Sequence, residues 1–523
     1  MKNILEIFKE NLTGSWQVIE DSPQRLYISC PKKEVVKIIP KIVQDLKMRF
    51  IFLFAGDERK EKASFGIYYV LSYQNEDKFL IVETRVQETD LSFPSLTPFL
   101  PQANWFEREI QDLFGLRPEG HPDPRPLVLH EDWPQGIFPL RKDFNFKKIP
   151  KAEGKYLFNQ VKGEGVFEIP VGPVHAGIIE PGHFRFSSAG ESILKLEIRH
   201  FYTHKGIEKL GEGKEPAYLL CLAERISGDN SLSHAAACVQ AMETLTKTEI
   251  PLRAQFLRVI FLELERVHNH LSDIAGISLD TAFSVGASHL MRLKERLLQL
   301  NERLTGTRLL RSIIIPGGVK KDITKERAGF LLKEIRDIKR DFEKTVKILF
   351  QVNSFLDRIE FTGIIKKEIA EVLGAVGPAA RASGIDRDLR RDHPYAAYKH
   401  LLFMTPVFNE GDVESRMKVK IQEIYESFKL ISESLESMPD GEVKTEMNAL
   451  PPSQHALGYV ESPRGACFHW ISTNSEGKIS RWKIHSPSFT NWPLIQYAVL
   501  ENIVPDFPLI NKSLNLSYSG NDR

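Results

Sequence analysis

Four residues in the middle third of the chain are best suited to chemistry: His175, His183, Asp229 and His234. A neutral imidazole can bind a metal or move a proton near neutral pH, so these residues could surround a reactive cavity. Asp229, Asn230 and His234 could also bind a hard divalent cation, but a set with one charged ligand disfavours such a site. For each histidine, a hydrogen-bonded structural role is the competing interpretation.

The cysteines and glycines exclude several kinds of site. Four cysteines are too few for a disulfide framework in 523 residues, and they form no C-x-x-C pair: Cys30, Cys221, Cys238 and Cys467. Gly163-Glu-Gly165 lacks the third glycine of a dinucleotide-binding loop, and the sequence contains no P-loop, nucleophile elbow or zinc motif. We therefore expect no cofactor on this chain.

Composition predicts an ordinary globular protein. The 70 basic and 69 acidic residues nearly cancel, so nothing favours nucleic acid as a partner. The N-terminus places charges inside its apolar stretch, unlike a signal peptide, and apolar runs such as Ile51–Ala55 are too short to cross a bilayer. We expect a soluble chain that would reach a membrane only through partners.

The elements that must position these residues divide into two domains. Residues 1–146 are predicted to form a small sheet domain with strands at Phe50–Ala55, Ser64–Tyr73 and Lys78–Val86. The last two strands would form a hairpin. Proline-rich segments follow, and residues 147–164 are predicted to be a linker.

Residues 165–523 are predicted to form a mainly helical domain with a small β appendage. Alternation of apolar and charged residues predicts a strand over Ser192–Arg199 with a buried face at Leu194, Leu196 and Ile198. The fold class is therefore α+β, a small α/β sheet domain followed by a helical one.

Apolar residues at spacings of three and four indicate long helices in this second domain. One covers Leu257–Ile274, and its polar face would carry Arg258, Glu265 and Asn269. Another covers Ile335–Leu349. Both are expected to pack one apolar face into a helical bundle.

The segment Trp105-Phe-Glu-Arg-Glu-Ile-Gln-Asp-Leu-Phe-Gly115 resembles the signature of the complex I 30 kDa subunit, as does Gly120-His-Pro-Asp-Pro-Arg125 after it. By itself the charged pattern is typical of a solvated helix face. The resemblance implies instead that this face docks partner subunits, through Glu107, Arg108, Glu109 and Asp112.

The second domain resembles the complex I 49 kDa subunit and the large subunit of energy-converting nickel–iron hydrogenases. The similarity is carried by Gly172–His175, Glu180–Arg185, His204–Lys209, Glu224–Ile226, His234–Cys238, Glu263–Leu271, Arg381–Gly384, Asp388–Tyr395 and Gly458–Gly465. The fused order of the two domains, with Arg481–Trp492 near the end, is most similar to large subunits of the formate hydrogenlyase type. It implies a subunit of an NADH-quinone oxidoreductase-like or hydrogenase-like complex.

The cysteine pairs of those hydrogenases are missing here. Two C-x-x-C pairs supply four soft thiolates to nickel and iron. The matching positions in this chain are Ser227, Asn230, Ser517 and Gly520. Hydroxyl and amide groups are hard or weak ligands and glycine has no side chain, so we do not expect an active nickel–iron hydrogenase.

The complex I resemblance implies a quinone site that is only half present. Its histidine carries over to His183, but its tyrosine partner falls at Gly228.

In the hydrogenases, the segment containing Glu208 places a proton-relaying carboxylate beside the metal, and a raised pKa would suit that role. The competing interpretation of Glu208 is a structural ion pair with Lys205, Lys209 or Arg225.

The two segments that lack the cysteine pairs, Ser227–Asn230 and Ser517–Gly520, are the two altered motifs. We expect them to converge on a remodelled cavity walled by His183, Glu208, Ser227, Asp229, Asn230 and Ser517. Arg381 and Arg464 would face an iron–sulfur cluster in a partner subunit, or would simply pair with nearby acids. An open polar cavity would favour a redox role, and a sealed apolar one would favour an inert scaffold.

The resemblance implies three kinds of partner: an iron–sulfur small subunit, a ferredoxin-like subunit and integral membrane subunits. The first interpretation is a redox-coupling subunit that receives electrons from the partner's cluster and helps to couple them to proton translocation. The second is a scaffold without chemistry. In either case the chain would lie on the cytoplasmic face of the inner membrane, held there by its partners.

Overall fold

The computed structural model describes residues 4–12, 14–73, 77–175 and 179–523. The chain forms two compact units. The N-terminal unit is Met1–Phe158 with Arg199–Phe201, and the C-terminal unit is Asn159–Ile198 with Tyr202–Arg523. The division after Phe158 falls inside the segment predicted to be a linker. No helix in the described ranges is long and apolar enough to cross a membrane.

The N-terminal unit is built on a mixed sheet. Along the chain its elements are α1 (Ile4–Asn11), β1 (Gln17–Asp21), β2 (Arg25–Ser29), α2 (Val35–Asp45), β3 (Arg49–Glu58), α3 (Arg59–Lys62), β4 (Ser64–Tyr73), β5 (Lys78–Gln87), β6 (Ser92–Pro94), α4 (Asn104–Phe114) and β7 (Arg117–Glu119). The five-stranded sheet has the order β1-β2-β5-β4-β3, with β2 and β5 parallel and the other pairs antiparallel. The three predicted strands are confirmed, and β4 and β5 pair antiparallel as the predicted hairpin requires. Residues 74–76 between these two strands lie outside the described ranges.

The charged residues of α4 are buried, contrary to both expectations for this helix. Glu107 accepts hydrogen bonds from the hydroxyls of Ser95 and Thr97, at 2.6 and 2.7 Å, and from the backbone N–H of Leu96 at 2.6 Å. Glu109 is only 4% exposed. A buried carboxylate requires such donors, so this face of α4 is occupied by the unit's own loops.

The next charged residues along α4 bind the main chain of a second loop, residues 125–129. Arg108 donates to the carbonyls of Arg125 and Pro126, while Asp112 accepts from the three consecutive backbone N–H groups of residues 127–129. Burial raises the pKa of Asp112 to about 6, although those N–H groups oppose the shift. These four α4 residues therefore do not form an exposed docking face, because all are buried and Glu107, Arg108 and Asp112 bind the unit's own loops.

The C-terminal unit is mainly helical and carries small antiparallel sheets. Its elements are β8 (Val166–Val171), β9 (His183–Ala189), β10 (Ser192–Arg199), α5 (Ile207–Leu210), α6 (Pro216–Ala223), α7 (Ser231–Thr246), α8 (Leu252–Asp280), α9 (Ser284–Thr305), β11 (Ile314–Ile315), β12 (Gly318–Val319), α10 (Lys325–Leu349), α11 (Asn353–Ile359), α12 (Lys367–Val372), α13 (Gly377–Ala382), α14 (Leu389–Asp392), α15 (Val413–Ser437), β13 (His455–Ser462), β14 (Gly465–Thr473), β15 (Ile479–His485), α16 (Pro487–Ala498), α17 (Phe507–Leu514) and α18 (Tyr518–Asp522). The three-stranded sheets have the orders β10-β9-β8 and β13-β14-β15. The predicted fold class is confirmed.

Two predicted solvent-facing surfaces in this unit are wrong. On α8, Arg258, Glu265 and Asn269 are all buried, because each finds polar partners inside the unit. On β10 the predicted burial of Leu196 and Ile198 is confirmed, but Leu194 is 44% exposed. Glu197 is 7% exposed and accepts a hydrogen bond from the backbone N–H of Asn159. Polar side chains with fixed partners override the hydrophobic pattern at these positions.

The start of α7 is fixed by a carboxylate from α8. Glu265 accepts from the backbone N–H groups of Leu232 and Ser233, at 2.7 and 3.0 Å, and from the hydroxyl of Ser233. These N–H groups belong to the first turn of α7, which has no partners for them within the helix. Burial nevertheless raises the pKa of Glu265 to about 7.

Glycine allows α7 to approach strand β13 closely. A Cβ atom added to Gly458 would lie 2.0 Å from the carbonyl oxygen of Ala237 on α7, which no side chain could tolerate without a shift of the backbone. The same helix therefore has its first turn fixed by α8 and its middle fixed by the β13-β14-β15 sheet.

Replacing Glu107 by alanine should destabilise the N-terminal unit by about 3 kcal/mol, because three buried donors would lose their acceptor. Urea unfolding of the full chain, with hydrogen exchange of peptides from residues 92–129, measures the loss and locates it. Gln111→Ala on the same helix is the control, since it removes a single hydrogen bond that is exposed to solvent. Equal effects of the two variants would contradict the role assigned to Glu107.

The pKa of Glu265 predicts a pH-dependent effect of Glu265→Gln. A folded-state pKa above the unfolded value stabilises the fold at low pH, and this contribution is lost as pH rises through about 7. The wild type should therefore lose about 2 kcal/mol relative to the variant between pH 5 and pH 8. Denaturant unfolding at several pH values measures this difference. Glu436→Gln, at an exposed glutamate, is the control, and a difference independent of pH would refute the prediction.

Candidate functional site

The first altered motif lies in the turn that leads into α7. Ser227 is 3% exposed and Asn230, immediately before the helix, is fully buried. The Ser231 hydroxyl donates to the carbonyl of Ser227 at 3.1 Å and closes the turn. Neither the hydroxyl of Ser227 nor the side-chain amide of Asn230 has a hydrogen-bond partner among the described residues.

The second altered motif is anchored between α16 and α18. Its backbone turns at Asn515, which has a φ of +44°, and the hydroxyl of Ser517 accepts from the N–H of Gly520 at 3.0 Å to begin α18. The N–H of Ser517 donates to the hydroxyl of Ser488 at 2.9 Å, and the indole of Trp492 donates to the Ser517 carbonyl. Ser517 is therefore held in place by three contacts.

The two motifs meet at an acidic side chain. Ser517 Oγ lies 3.4 Å from Asp229 Oδ1, and Arg464 Nη1 lies 2.9 Å from Asp229 Oδ2. Arg464 also donates through Nε to the carbonyl of Asn515. The predicted convergence is confirmed, and Asp229 with Arg464 makes the connection between segments 288 residues apart.

A cavity of about 410 Å³ that opens to solvent lies beside this junction. Its polar lining residues are Glu180, Asp229, His268, Asn269, Ser272, Lys294, Arg464, Asn511, Lys512, Asn515, Ser517, Tyr518 and Ser519. Of the predicted wall, Asp229 and Ser517 line it. The other four residues predicted for the wall do not: His183, Glu208, Ser227 and Asn230.

The cavity carries three cations and two carboxylates. Arg464 is paired with Asp229, and Glu180 accepts from the backbone N–H of Ser519 at 2.9 Å. Lys294 on α9 donates to the hydroxyl of Ser272 at 3.0 Å, and burial lowers the pKa of this lysine. A partly desolvated ammonium group of this kind releases a proton more readily than an exposed one.

Glu208 is an ion-paired residue in the interior. It accepts from Arg481 at 2.7 Å, and Lys483 and Arg523 each lie 3.4 Å away. Burial opposes ionisation, but Lys483, Arg481 and Arg523 outweigh it and hold the pKa of Glu208 well below its usual range. An ion pair is therefore present, with partners other than the three proposed from sequence. The raised pKa assumed for a proton relay is a wrong prediction, because those cations surround the carboxylate.

His175 and His183 both bind the main chain near the loop that joins β8 and β9. His175 Nε2 lies 2.8 Å from the carbonyl of Gly182, and His183 Nδ1 lies 3.1 Å from the carbonyl of Gly172. These contacts agree with the structural interpretation of the two histidines. Residues 176–178 of the same loop lie outside the described ranges.

His234 joins a cluster that the sequence did not reveal. His234 Nδ1 lies 3.0 Å from His469 Nε2 and 3.4 Å from Cys467 Sγ. In the metal set considered from sequence, Asp229 is paired with Arg464 and His234 Nδ1 contacts His469, so the set stays a prediction. Alternation along β14 places Cys467 and His469 on one face, but no sequence signal pairs them with a helix more than 230 residues away.

The cysteines differ in exposure. Cys221 on α6 is exposed, whereas the other three cysteines are buried. Burial raises the pKa of Cys30, Cys238 and Cys467. None of these three thiols is therefore in a reactive state.

The two arginines expected to face a partner occupy different environments. Arg381 is fully buried and pairs with Glu423 at 2.5 Å and Glu461 at 3.0 Å, so its charge is neutralised within the unit. Arg464 lines the open cavity. Both arginines therefore pair with nearby acids, as the competing interpretation expects. Arg381 has no surface through which to contact a partner, and the partner-facing position of Arg464 stays a prediction.

Family models match most of the chain. Residues 28–150 match the respiratory-chain NADH dehydrogenase 30 kDa subunit, and residues 280–457 and 446–523 match its 49 kDa subunit. Residues 205–273 match nickel-dependent hydrogenase. The two types of domain therefore follow each other in the order inferred from the motifs.

Known proteins match two thirds or more of this chain. Formate hydrogenlyase subunit 5 of Escherichia coli K12 is 35% identical over 500 residues, which cover 93% of this chain and 88% of that protein. An NADH-quinone oxidoreductase subunit of Phocaeicola vulgatus is 29% identical over 495 residues, covering 90% of this chain and 93% of that protein. Among solved structures, a chain of the membrane-bound sulfane sulfur reductase, an archaeal respiratory membrane complex, matches with a TM-score of 0.65 at 27% identity, covering 69% of this chain and 99% of that one.

These matches confirm the resemblance inferred from the motifs. The 35% identity to formate hydrogenlyase subunit 5 extends through both domains of the chain. The chain therefore belongs to the family of fused large subunits that includes formate hydrogenlyase subunit 5, in which a complex I 30 kDa-like domain precedes a 49 kDa-like, hydrogenase-like domain.

Proposed function

We propose that this chain is a redox-coupling large subunit of a membrane-associated complex, in which an open polar cavity has replaced the nickel–iron centre. The observation that carries the proposal is the junction of Asp229, Arg464 and Ser517 beside that cavity. A relic kept only for its shape would need neither an opening to solvent nor convergent polar groups there.

The donor chemistry at the four former ligand positions supports a centre without nickel. The Ser517 hydroxyl already accepts from Gly520 and contacts Asp229, and Gly520 has no side chain. Ser227 and Asn230 offer a hydroxyl and an amide, which are hard or weak ligands for these metals. These residues do not fit a nickel–iron centre.

The cavity suits an acceptor that gains negative charge when it is reduced. Arg464 and two lysines would stabilise such charge, since fixed cations act strongly in a partly desolvated site. Lys294, whose pKa is lowered by burial, is placed to donate the accompanying proton. Electrons would come from an iron–sulfur cluster in a partner small subunit.

The relatives support the proposed assembly. One is named as a subunit of formate hydrogenlyase and another as the alpha subunit of a membrane-bound hydrogenase. We propose that this chain likewise assembles with an iron–sulfur small subunit, a ferredoxin-like subunit and integral membrane subunits. It would then lie on the cytoplasmic face of the inner membrane and take part in proton translocation.

An inert scaffold remains the competing function, because four of the predicted cavity residues lie away from the cavity. The two functions differ in what a mutation of the cavity should do. A scaffold would tolerate loss of a cavity charge without loss of activity, whereas a redox subunit would not.

The purified chain should contain no nickel above background when it is produced in nickel-supplemented cells, because no thiolate pair is available to bind the metal. Elemental analysis after dialysis against a chelator measures the content, and protein from unsupplemented cells is the control. Nickel approaching one atom per chain after chelation would refute this part of the proposal.

Lys294→Gln should lower turnover of the purified complex about tenfold or more without affecting assembly, because it removes a cation and a proton donor from the cavity. The assay is viologen-driven electron transfer through the complex isolated with its own partners. Arg292→Gln is the matched control, since Arg292 lies on the same helix and is exposed to solvent. Unchanged turnover in Lys294→Gln would favour the scaffold.

A further inference from the structure

A row of three buried side chains crosses the β13-β14-β15 sheet and ends on α7. The indole Nε1 of Trp482 on β15 lies 3.2 Å from Nδ1 of His469 on β14. His469 Nε2 then lies 3.0 Å from Nδ1 of His234 on α7. All three side chains are fully buried, so each contact is shielded from solvent.

The chemistry of the three groups fixes the direction in which hydrogen bonds are donated along this row, the Trp482–His469–His234 relay. An indole nitrogen can only donate a hydrogen bond, so His469 Nδ1 must be the acceptor. A neutral His469 then carries its proton on Nε2 and donates it to Nδ1 of His234. His234 in turn must carry its own proton on Nε2. Burial lowers the pKa of both histidines, which keeps the two rings neutral.

A metal site is the alternative interpretation, because Cys467 Sγ lies 3.4 Å from the same His234 nitrogen. The candidate ligand atoms of His234, Cys467 and His469 all lie within 4.8 Å of one another. A histidine bound to metal through Nε2 carries its proton on Nδ1 and donates it to a second group. At His469 that Nδ1 faces the Trp482 N–H, which is itself a donor. Two donors cannot share a hydrogen bond, so the geometry favours the relay over the metal.

The relay ends where other buried polar groups gather. His234 Nε2, the Ser227 hydroxyl and the Asn230 side-chain amide have no hydrogen-bond partner among the described residues. Asn230 immediately precedes α7, and its backbone carbonyl accepts from the N–H of His234 at 3.0 Å, so the two residues are neighbours at the first turn of the helix. Buried polar atoms in proteins are almost always hydrogen-bonded, and such groups in one short segment indicate a shared bound partner.

We infer that Trp482 and His469 fix His234 as an N–H donor, so that His234, Ser227 and Asn230 form a sealed site for one small neutral hydrogen-bonding molecule of about the size of water. His234 Nε2–H and the Asn230 side-chain N–H donate to it, and Asn230 Oδ1 accepts from it. The site is separate from the open cavity, because none of the three residues lines that cavity. The inference therefore does not depend on the proposed redox function.

The direction of the relay is tested by two-bond ¹H–¹⁵N correlation spectra of the full chain labelled with ¹⁵N-histidine. Both rings should be neutral with the proton on Nε2. Trp482→Phe should shift the signals of His469 and His234. Trp470→Phe, on β14, should leave both tautomers unchanged. A proton on Nδ1 of either ring would overturn the relay, and the wild-type spectrum decides this even if a variant fails to fold. Zinc or copper near one atom per chain, lost in Cys467→Ser, would also overturn it.

The bound molecule is tested by comparing two buried serines. The hydroxyls of Ser227 and Ser434 both lack a partner among the described residues, but Ser434 lies on α15, outside the cluster. If Ser227 contacts a bound molecule, Ser227→Ala should lower the thermal midpoint by roughly 1–3 °C. Ser434→Ala should leave it unchanged or raise it, because an unpartnered hydroxyl contributes no hydrogen bond. The same response in both variants would overturn the site.

Discussion

Burial of charge is the constraint on which the C-terminal unit depends. Glu423 on α15 is fully buried and contacts three cationic or protonatable groups: Arg381 at 2.5 Å, His270 at 2.8 Å and Arg266 at 3.4 Å. Removing one member of such a network leaves another charge buried and unpaired, at a cost of about 3–5 kcal/mol. The residues come from α8, α13 and α15, so the network fixes the relative positions of these helices more narrowly than apolar packing alone could.

The same kind of interaction extends to the edge of the cavity. Asp273 on α8 pairs with Lys420 at 2.7 Å and lies 3.9 Å from Arg464, and it also accepts from the side chain of Asn515. Arg464 then reaches Asp229. A set of ionic contacts thus connects the helical interior to both altered motifs. These contacts hold the backbone of the two motifs in place, because the surrounding charges require one another.

The sequence predicted local features well and the partners of buried polar groups poorly. Strand β4 was predicted at Ser64–Tyr73 because this segment and Lys78–Val86 flank a short polar stretch, which is a local signal of a hairpin. Glu107 and Glu265 were misread as surface residues, since helical periodicity cannot show that distant hydroxyl and N–H groups satisfy a carboxylate. Motif similarity placed Ser517 near Asp229, but the cavity beside them depends on Lys294 and other side chains that no motif contains.

The unequal exposure of the four cysteines makes the unmodified chain suitable for site-specific labelling. A maleimide or nitroxide reagent would meet one accessible thiol, Cys221, while the buried thiols stay protonated and shielded. Cys221 lies near the end of α6, and its carbonyl accepts a hydrogen bond from Arg225, just before the first altered motif. A fluorophore or spin label attached there would lie close to that motif along the chain. Movement of this segment during assembly or turnover could then be followed without removing any native cysteine.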